Sequence, residues 1–284
     1  MASYLREKGF AYEYTEYSLR KLLKWKYYTL RLFLSAERSH RKNRGSGKLK
    51  KIRKLKGKMS GPAIIVGNGP SSLDLLNFDN HKLQNRYTFF CVNFFLNSEL
   101  ANAIVPDYLV LCDDPLWSKD FLEYRNRVSE AQMEKNLVII QPDHQEDYGK
   151  ETHTIYIRKN PLNGFTKRIA IEKRISGLPN YTVFYAVATA LFLGYSPIYL
   201  TGMDFNHYKF ANLTPEGLIL EPHHSYSENS RAWSGRDTLS RLLSCNLHQM
   251  SSLNLFRNYD VSMVGNQPPH DVLKFTHWSE IIEK

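Results

Sequence analysis

From residue 61 onward the chain is built of short apolar runs separated by polar turns that hold most of its glycine and proline. The runs at 63–66, 88–92, 108–112, 137–141, 154–157, 198–201 and 261–264 are nearly continuous rather than alternating, as expected for strands buried on both faces of a parallel sheet. Helical patterns fall between them, around 116–128, 181–193 and 238–256, with a shorter helical stretch over 73–76. Strand and helix patterns thus alternate, which predicts an α/β fold with a doubly wound, mostly parallel sheet. Ligands bind such sheets beyond the carboxyl ends of the strands. The loops after Val66, Val92, Cys112 and Thr201 are therefore the ones to read for chemistry.

The first 60 residues follow a different pattern. Over 12–39, Tyr14, Tyr17, Leu19, Leu22, Leu23, Trp25, Tyr27, Tyr28, Leu30, Leu32, Phe33 and Leu34 are interleaved with Arg20, Lys21, Lys24, Lys26 and Arg31, with no Gly or Pro. A helix of this composition suits a membrane interface, although a helix packed on the body with a solvated basic face has the same composition. Residues 38–61 are dense in charge, contain Gly and Ser and have few large apolar groups, so a flexible linker is expected there. Charge sharpens the division. The net charge is +10 over 284 residues, yet 18 of the 38 Lys and Arg and only 4 of the 28 Asp and Glu lie in residues 1–60. A mildly acidic body, 61–284, carries a strongly basic extension, 1–60, which is expected to meet an anionic membrane surface. No nucleic-acid recognition fold accompanies the basic run, so nucleic acid is not expected as a partner.

Cys91, Cys112 and Cys245 form no CxxC pair, and two of them sit in apolar runs, where buried thiols are the simplest reading. This argues for a reducing compartment. No secretory leader pattern opens the chain, and no run approaches the roughly 20 apolar residues that span a bilayer. A cytoplasmic protein, peripheral on the inner face of the cell membrane, is the expectation.

The chemistry-bearing loops come next. Gly67-Asn68-Gly69-Pro70-Ser71-Ser72 opens a helix after the first run. Its glycines permit close backbone approach, and the helix start offers N–H groups to an anion, while a plain strand-to-helix turn uses the same residues. Ser72 stands where a dinucleotide fingerprint has its third glycine, and no Gly-Lys-Ser/Thr follows. Asn68 adds a polar side chain that can bond a ribose or a phosphate. Asn93 ends the second run, and Cys112-Asp113-Asp114-Pro115 ends the third. Its two carboxylates could hold a divalent metal or sugar hydroxyls, and Asp114-Pro115 also reads as a helix start with Asp as the cap. Further on come Arg174-Ile175-Ser176-Gly177, an apolar helix ending at Gly194-Tyr195, and Ile198-Tyr199-Leu200-Thr201-Gly202-Met203-Asp204-Phe205.

GNGPS after the first strand, Asn93 after the second, the R-x-S-G turn and the LGY-to-GMDF block, in this order, resemble the bacterial CMP-sialic acid sialyltransferases that decorate lipooligosaccharide. The same motifs look like those of the motility accessory factors and of the pterin pyrophosphokinases of the MptE-like type. The similarity covers about 61–265. It implies a Rossmann-like, GT-A-like sialyltransferase variant and inverting transfer of a sialic acid or related sugar from a CMP-sugar donor to a glycan or glycolipid acceptor, with no metal required. Under it, Asn68, Gly69 and Ser71 would meet the phosphate and ribose of CMP, and Asn93 and Asp113 the donor. Ser176 and Gly177 would line the pocket, Arg174 would lie near the anionic donor, and Gly202, Asp204 and Phe205 would hold the cytidine end. Tyr208 would bind the leaving phosphate, with Asn206 where one family tyrosine would be. Asp113-Asp114-Pro115 replaces a sialyltransferase asparagine and is closer to the motility-factor branch.

Transfer from a CMP-sugar needs a base for the acceptor hydroxyl. The resemblance puts a histidine in a mobile segment after the DF motif, where this chain has His223 and His224; two surface histidines in a variable loop are the plainer reading. The polar stretch around them, about 206–236, would act as an acceptor lid. A zinc site on His207, His223 and His224 has no further spaced ligands behind it. Two other functions fit the same fold: a pyrophosphokinase using ATP and Mg²⁺, and a non-catalytic nucleotide-fold scaffold. An oligomer is compatible with either.

Overall fold

The computed structural model describes residues 48–143, 145–148, 151–159, 178, 181–204, 211–214, 217–220, 231–232, 249–250, 252–266 and 272–282. Eight strands form one sheet: β1 (Ala63–Val66), β2 (Thr88–Val92), β3 (Tyr108–Val110), β4 (Val138–Pro142), β5 (Thr154–Ile157), β6 (Ile198–Thr201), β10 (Val261–Gly265) and β11 (Lys274–His277). Their order is β11-β10-β6-β1-β2-β3-β4-β5, and every pairing in it is parallel. The chain winds outward from β1 through β5 on one side and from β6 through β11 on the other. The sheet is therefore doubly wound, and the direction reverses between β1 and β6, where open α/β sheets form their ligand crevice.

Both faces of the sheet are covered, as continuous apolar strands require. One face packs against α5 (Thr182–Leu193), in which every residue but Leu191 is buried. A helix that is apolar all round has no solvent stripe to offer, so it lies inside the fold. It stops at Gly194, whose φ of 114° is open to glycine at little cost. The opposite face is covered by the 3₁₀ turns Pro70–Asn77 and by α2 (Asn80–Arg86), α3 (Leu100–Ala103), α4 (Leu122–Lys135) and α6 (Trp278–Ile282). Asp79 caps α2 by accepting from the Lys82 amide at 3.2 Å.

Several expectations shift. The helix expected over 116–128 begins later, because Asp114–Trp117 and Lys119–Phe121 are separate 3₁₀ turns ahead of α4. Over 73–76 the helix is likewise a 3₁₀ run, Pro70–Asn77. Residues 48–55, expected within a linker, form helix α1 (Lys48–Leu55), with Ile52 buried in the core on the α5 face. Ile52 and Leu55 are three apart, which is enough for an amphipathic stripe within a run dominated by lysine. The stretch expected as a lid contains a small antiparallel sheet of β7 (Ala211–Thr214), β8 (Gly217–Leu220) and β9 (Arg231–Ala232). Most of the helix expected over 238–256 lies outside the described residues; 253–256 is a 3₁₀ turn. Among the described residues, no helix is long and apolar enough to cross a membrane.

Candidate functional site

The loops after β1 and β6 are joined backbone to backbone. Gly67 N–H donates to the Thr201 carbonyl at 2.8 Å and Gly69 N–H to the Gly202 carbonyl at 2.9 Å, while Gly202 N–H donates to Ser71 Oγ at 3.2 Å. The approach depends on glycine: a Cβ on Gly67 would collide with the Gly202 carbonyl, and one on Gly202, whose φ is +68°, with the Gly67 carbonyl. The Asp204 carboxylate closes the turn by accepting from Ser71 N–H at 3.2 Å, and it fills the space that a Cβ on Gly69 would take.

The shape is that of an anion cradle, but four of its amides are already used. Gly67, Gly69, Ser71 and Ser72 all donate within the protein, and Pro70 has no N–H. Asp204 stands where a bound phosphate would meet the helix start, and its negative charge opposes a second anion. Asn68 is left over: its Oδ1 is buried with no hydrogen-bond partner among the described residues. A lone buried acceptor costs about 1–3 kcal/mol and is relieved by a ligand hydroxyl or amine. The arrangement suits a ribose or a base edge better than the phosphate assigned to Asn68, Gly69 and Ser71 from the sequence.

A second cluster lies at the carboxyl ends of β2 and β3. Asn93 has a φ of +45°, which asparagine tolerates better than most residues. In this conformation its Nδ2 donates to Asp113 Oδ2 at 2.6 Å and its Oδ1 accepts from Cys112 N–H at 3.3 Å. The Tyr124 hydroxyl donates to the Asn93 carbonyl. Thr182, the first residue of α5, donates its hydroxyl to Asp113 Oδ1 at 3.1 Å. The Asp113 carboxylate is thus gripped on both oxygens. Close by, the buried Lys159 donates Nζ to the Cys112 carbonyl at 2.5 Å and brings a positive charge to the same edge. Thr182, Tyr124 and Lys159 are site residues that sequence reasoning missed.

Burial raises the Asp74 carboxyl above its ordinary value, an effect opposed by the Asn266 amide and augmented by the charge of Asp204. A raised folded-state value means that the folded protein disfavours the ionised form. The cost is complete above that raised value and absent below the ordinary 3.8. Asp74→Asn is therefore expected to raise the melting temperature at neutral pH, with the gain fading as pH falls toward about 4. An equal gain at both ends of a melting series would show that the charge of Asp74 is not responsible.

Of the sequence-derived site residues, the structure groups Asn68, Gly69, Ser71, Gly202 and Asp204 at the β1/β6 crevice, and Asn93 and Asp113 at β2/β3. Arg174, Ser176, Gly177, Phe205, Tyr208, His223 and His224 lie outside the described residues, as do His207 and the side chain of Asp114. Cys91 and Cys112 are buried free thiols, and burial pushes the Cys91 thiol well up. Among the described residues, no group of three or more His, Cys, Asp and Glu is placed to hold a metal ion.

The family model described as 6-hydroxymethylpterin diphosphokinase MptE-like matches residues 38–209, so the matched region starts well before the 61 expected from the motifs. No curated protein matches the sequence. Two solved structures are similar. The MAf glycosyltransferase of Magnetospirillum magneticum AMB-1 is 15% identical with a TM-score of 0.46, the match covering 80% of this chain and 35% of that one. The sialyltransferase CstII of Campylobacter jejuni, in complex with a substrate analogue, cytidine-5'-monophosphate, is 18% identical with a TM-score of 0.42, the match covering 76% of this chain and 84% of that one. This chain therefore spans about a third of the length of the first and most of the second.

Proposed function

This chain belongs to the MptE-like family, and from that premise we propose that its body is a nucleotide-dependent transferase that moves a sialic acid or related sugar from a CMP-activated donor to a glycan acceptor. The observation that carries the reading is the β1/β6 crevice, where the unpartnered Oδ1 of Asn68 and the carboxylate of Asp204 lie on the two loops that the glycines zip together. Both are acceptors. They match the ribose hydroxyls and an exocyclic amine such as that of cytosine, which uracil lacks and adenine shares. The motif order from GNGPS to GMDF supports CMP as the nucleotide.

In this reaction the bond between the sugar's anomeric carbon and the CMP phosphate oxygen breaks, and the acceptor oxygen attacks from the opposite face. The acceptor hydroxyl gives its proton to His223 or His224, and Tyr208 and Arg174 steady the departing phosphate. These four roles rest on the motif resemblance alone. Asp113, held by Asn93 and Thr182, would take a donor hydroxyl. No metal takes part in this reading.

The family's description favours a second reading, in which diphosphate passes from ATP to a pterin alcohol. Asp113 would then share a Mg²⁺ ion with the ATP phosphates, as carboxylates commonly do in such sites. Calorimetry with CMP, UDP, GDP and ATP, each with and without Mg²⁺, separates the two. The expected result is CMP binding that is indifferent to Mg²⁺ and about tenfold weaker in Asn68→Ala, the equivalent of one lost hydrogen bond. Binding of ATP only with Mg²⁺, and none of CMP, would replace the first reading with the second; no nucleotide binding at all would leave the scaffold.

A further inference from the structure

Helix α1 is fastened to the body along one side. Ile52 enters the core, and Leu55 and Met59 pack beside it. Lys48 reaches Asp147 at 2.8 Å and lies over the Tyr156 ring, and Lys51 donates to the Thr152 carbonyl at 2.5 Å. Gly57 N–H and Met59 N–H then bond the carbonyls of Phe192 and Leu193, at 3.0 and 2.9 Å. The other side of the helix and the turn that follows it are charged. Lys50, Arg53, Lys54, Lys56 and Lys58 are all exposed, and none of the five has an ion-pair partner among the described residues. Residues 48–62 hold seven Lys and Arg and no Asp or Glu.

We propose that this fixed cationic face docks the protein on a bilayer containing anionic phospholipid. Five uncompensated cations on a rigid support are complementary to such a surface, which attracts each of them within a Debye length. Lipid is favoured over nucleic acid by two features. Among the described residues, 48–62 carry no aromatic side chain on which a base could stack. The sequence leading into the helix, 12–39, has the Trp, Tyr, Leu and Lys/Arg mixture of an interfacial segment.

The anchorage also fixes an orientation. Gly57 and Met59 bond to the last turn of α5, whose first residue, Thr182, touches Asp113. A helix of 12 residues is about 18 Å long, so the basic face is held near the amino edge of the sheet and the candidate site opens at the opposite edge. On a bilayer the site would face water, accessible to donor and acceptor. This surface does not depend on the identity of the donor.

The test is sedimentation of the full chain with vesicles of pure phosphatidylcholine and with vesicles rich in phosphatidylglycerol. Binding is expected only to the second, weakening steeply with salt. A full-length variant with Lys50, Arg53, Lys54, Lys56 and Lys58 all changed to Gln should partition at least about a hundredfold less, since each cation near an anionic surface contributes roughly fivefold. Vesicles should also protect Lys54, Lys56 and Lys58 of the unmodified protein from an amine-acylating reagent, a readout that does not depend on how the variant folds. Undiminished partition of the variant, or acylation unchanged by vesicles, would overturn the proposal. So would preferential protection of these lysines by duplex or single-stranded nucleic acid.

Discussion

Gly202→Ala is expected to destabilise the protein by about 2–4 kcal/mol and to abolish nucleotide binding. Two costs add. Alanine at a φ of +68° gives up roughly 1 kcal/mol of backbone energy. Its methyl group would also lie 2.8 Å from Ser72 Cβ and closer still to the Gly67 carbonyl, an overpacking cost of typically 1–3 kcal/mol. The neighbours cannot yield cheaply, because Gly67 and Gly69 are bonded to Thr201 and Gly202 on the facing loop. Separating the loops would release Ser71 from Asp204 and move Asn68. Gly61→Ala is the control: its φ is +92°, yet nothing lies within 4 Å of the added carbon, so only the backbone cost remains. Thermal melts should place Gly202→Ala on the order of 10 °C below the unsubstituted protein and Gly61→Ala much closer to it, with CMP binding kept. Equal losses in both would mean that the glycine zipper has no role beyond conformational freedom.

The parts of this architecture that could be read from the sequence are those in which one local pattern decides the outcome. β1, β2, β5 and β6 match the apolar runs residue for residue, because a strand buried on both faces has little room for polar side chains beyond an occasional threonine. β11 was missed for the converse reason. Lys274-Phe275-Thr276-His277 is a sheet edge with only Thr276 fully buried, and its pairing to β10 comes from the tertiary fold. Helix α1 reads as linker in sequence because its five cations outweigh three apolar residues in composition, although Ile52 and Leu55 among them decide the packing. In the site, Asn93 and Asp113 were legible because each ends an apolar run. Thr182 and Lys159 were not. Thr182 is one threonine at a helix start, and Lys159 becomes a site residue only when β5 brings it under the Cys112 carbonyl. The turn itself was recognised, but the spending of its amides was invisible, since Thr201, Gly202 and Asp204 are more than 130 residues away in the chain.

Asn93 allows the strongest separation of structure from chemistry. Asn93→Ala removes the hydrogen bonds to Asp113 and to Cys112 N–H and puts alanine at a φ of +45°. The orphaned groups cost about 1–3 kcal/mol each where they stay dry, and the backbone adds about 1 kcal/mol, so a loss of roughly 3–5 kcal/mol is expected. Asn93→Gly removes the same hydrogen bonds but relaxes the backbone, and it should recover about 1 kcal/mol of that loss. Asn93→Asp keeps the size and most of the geometry while placing a second carboxylate against Asp113. Like charges at hydrogen-bond distance cannot both ionise easily, so one proton is taken up and stability falls as pH rises through the neutral range. Comparing melts of the three variants with their turnover assigns the role. If Asp113 must be held in place for transfer, all three lose turnover, and Asn93→Asp regains part of it at acid pH, where the shared proton restores a donor to Asp113. If Asn93→Gly turns over normally once its lower melting temperature is respected, Asn93 is an element of the fold and Asp113 needs no positioning by it.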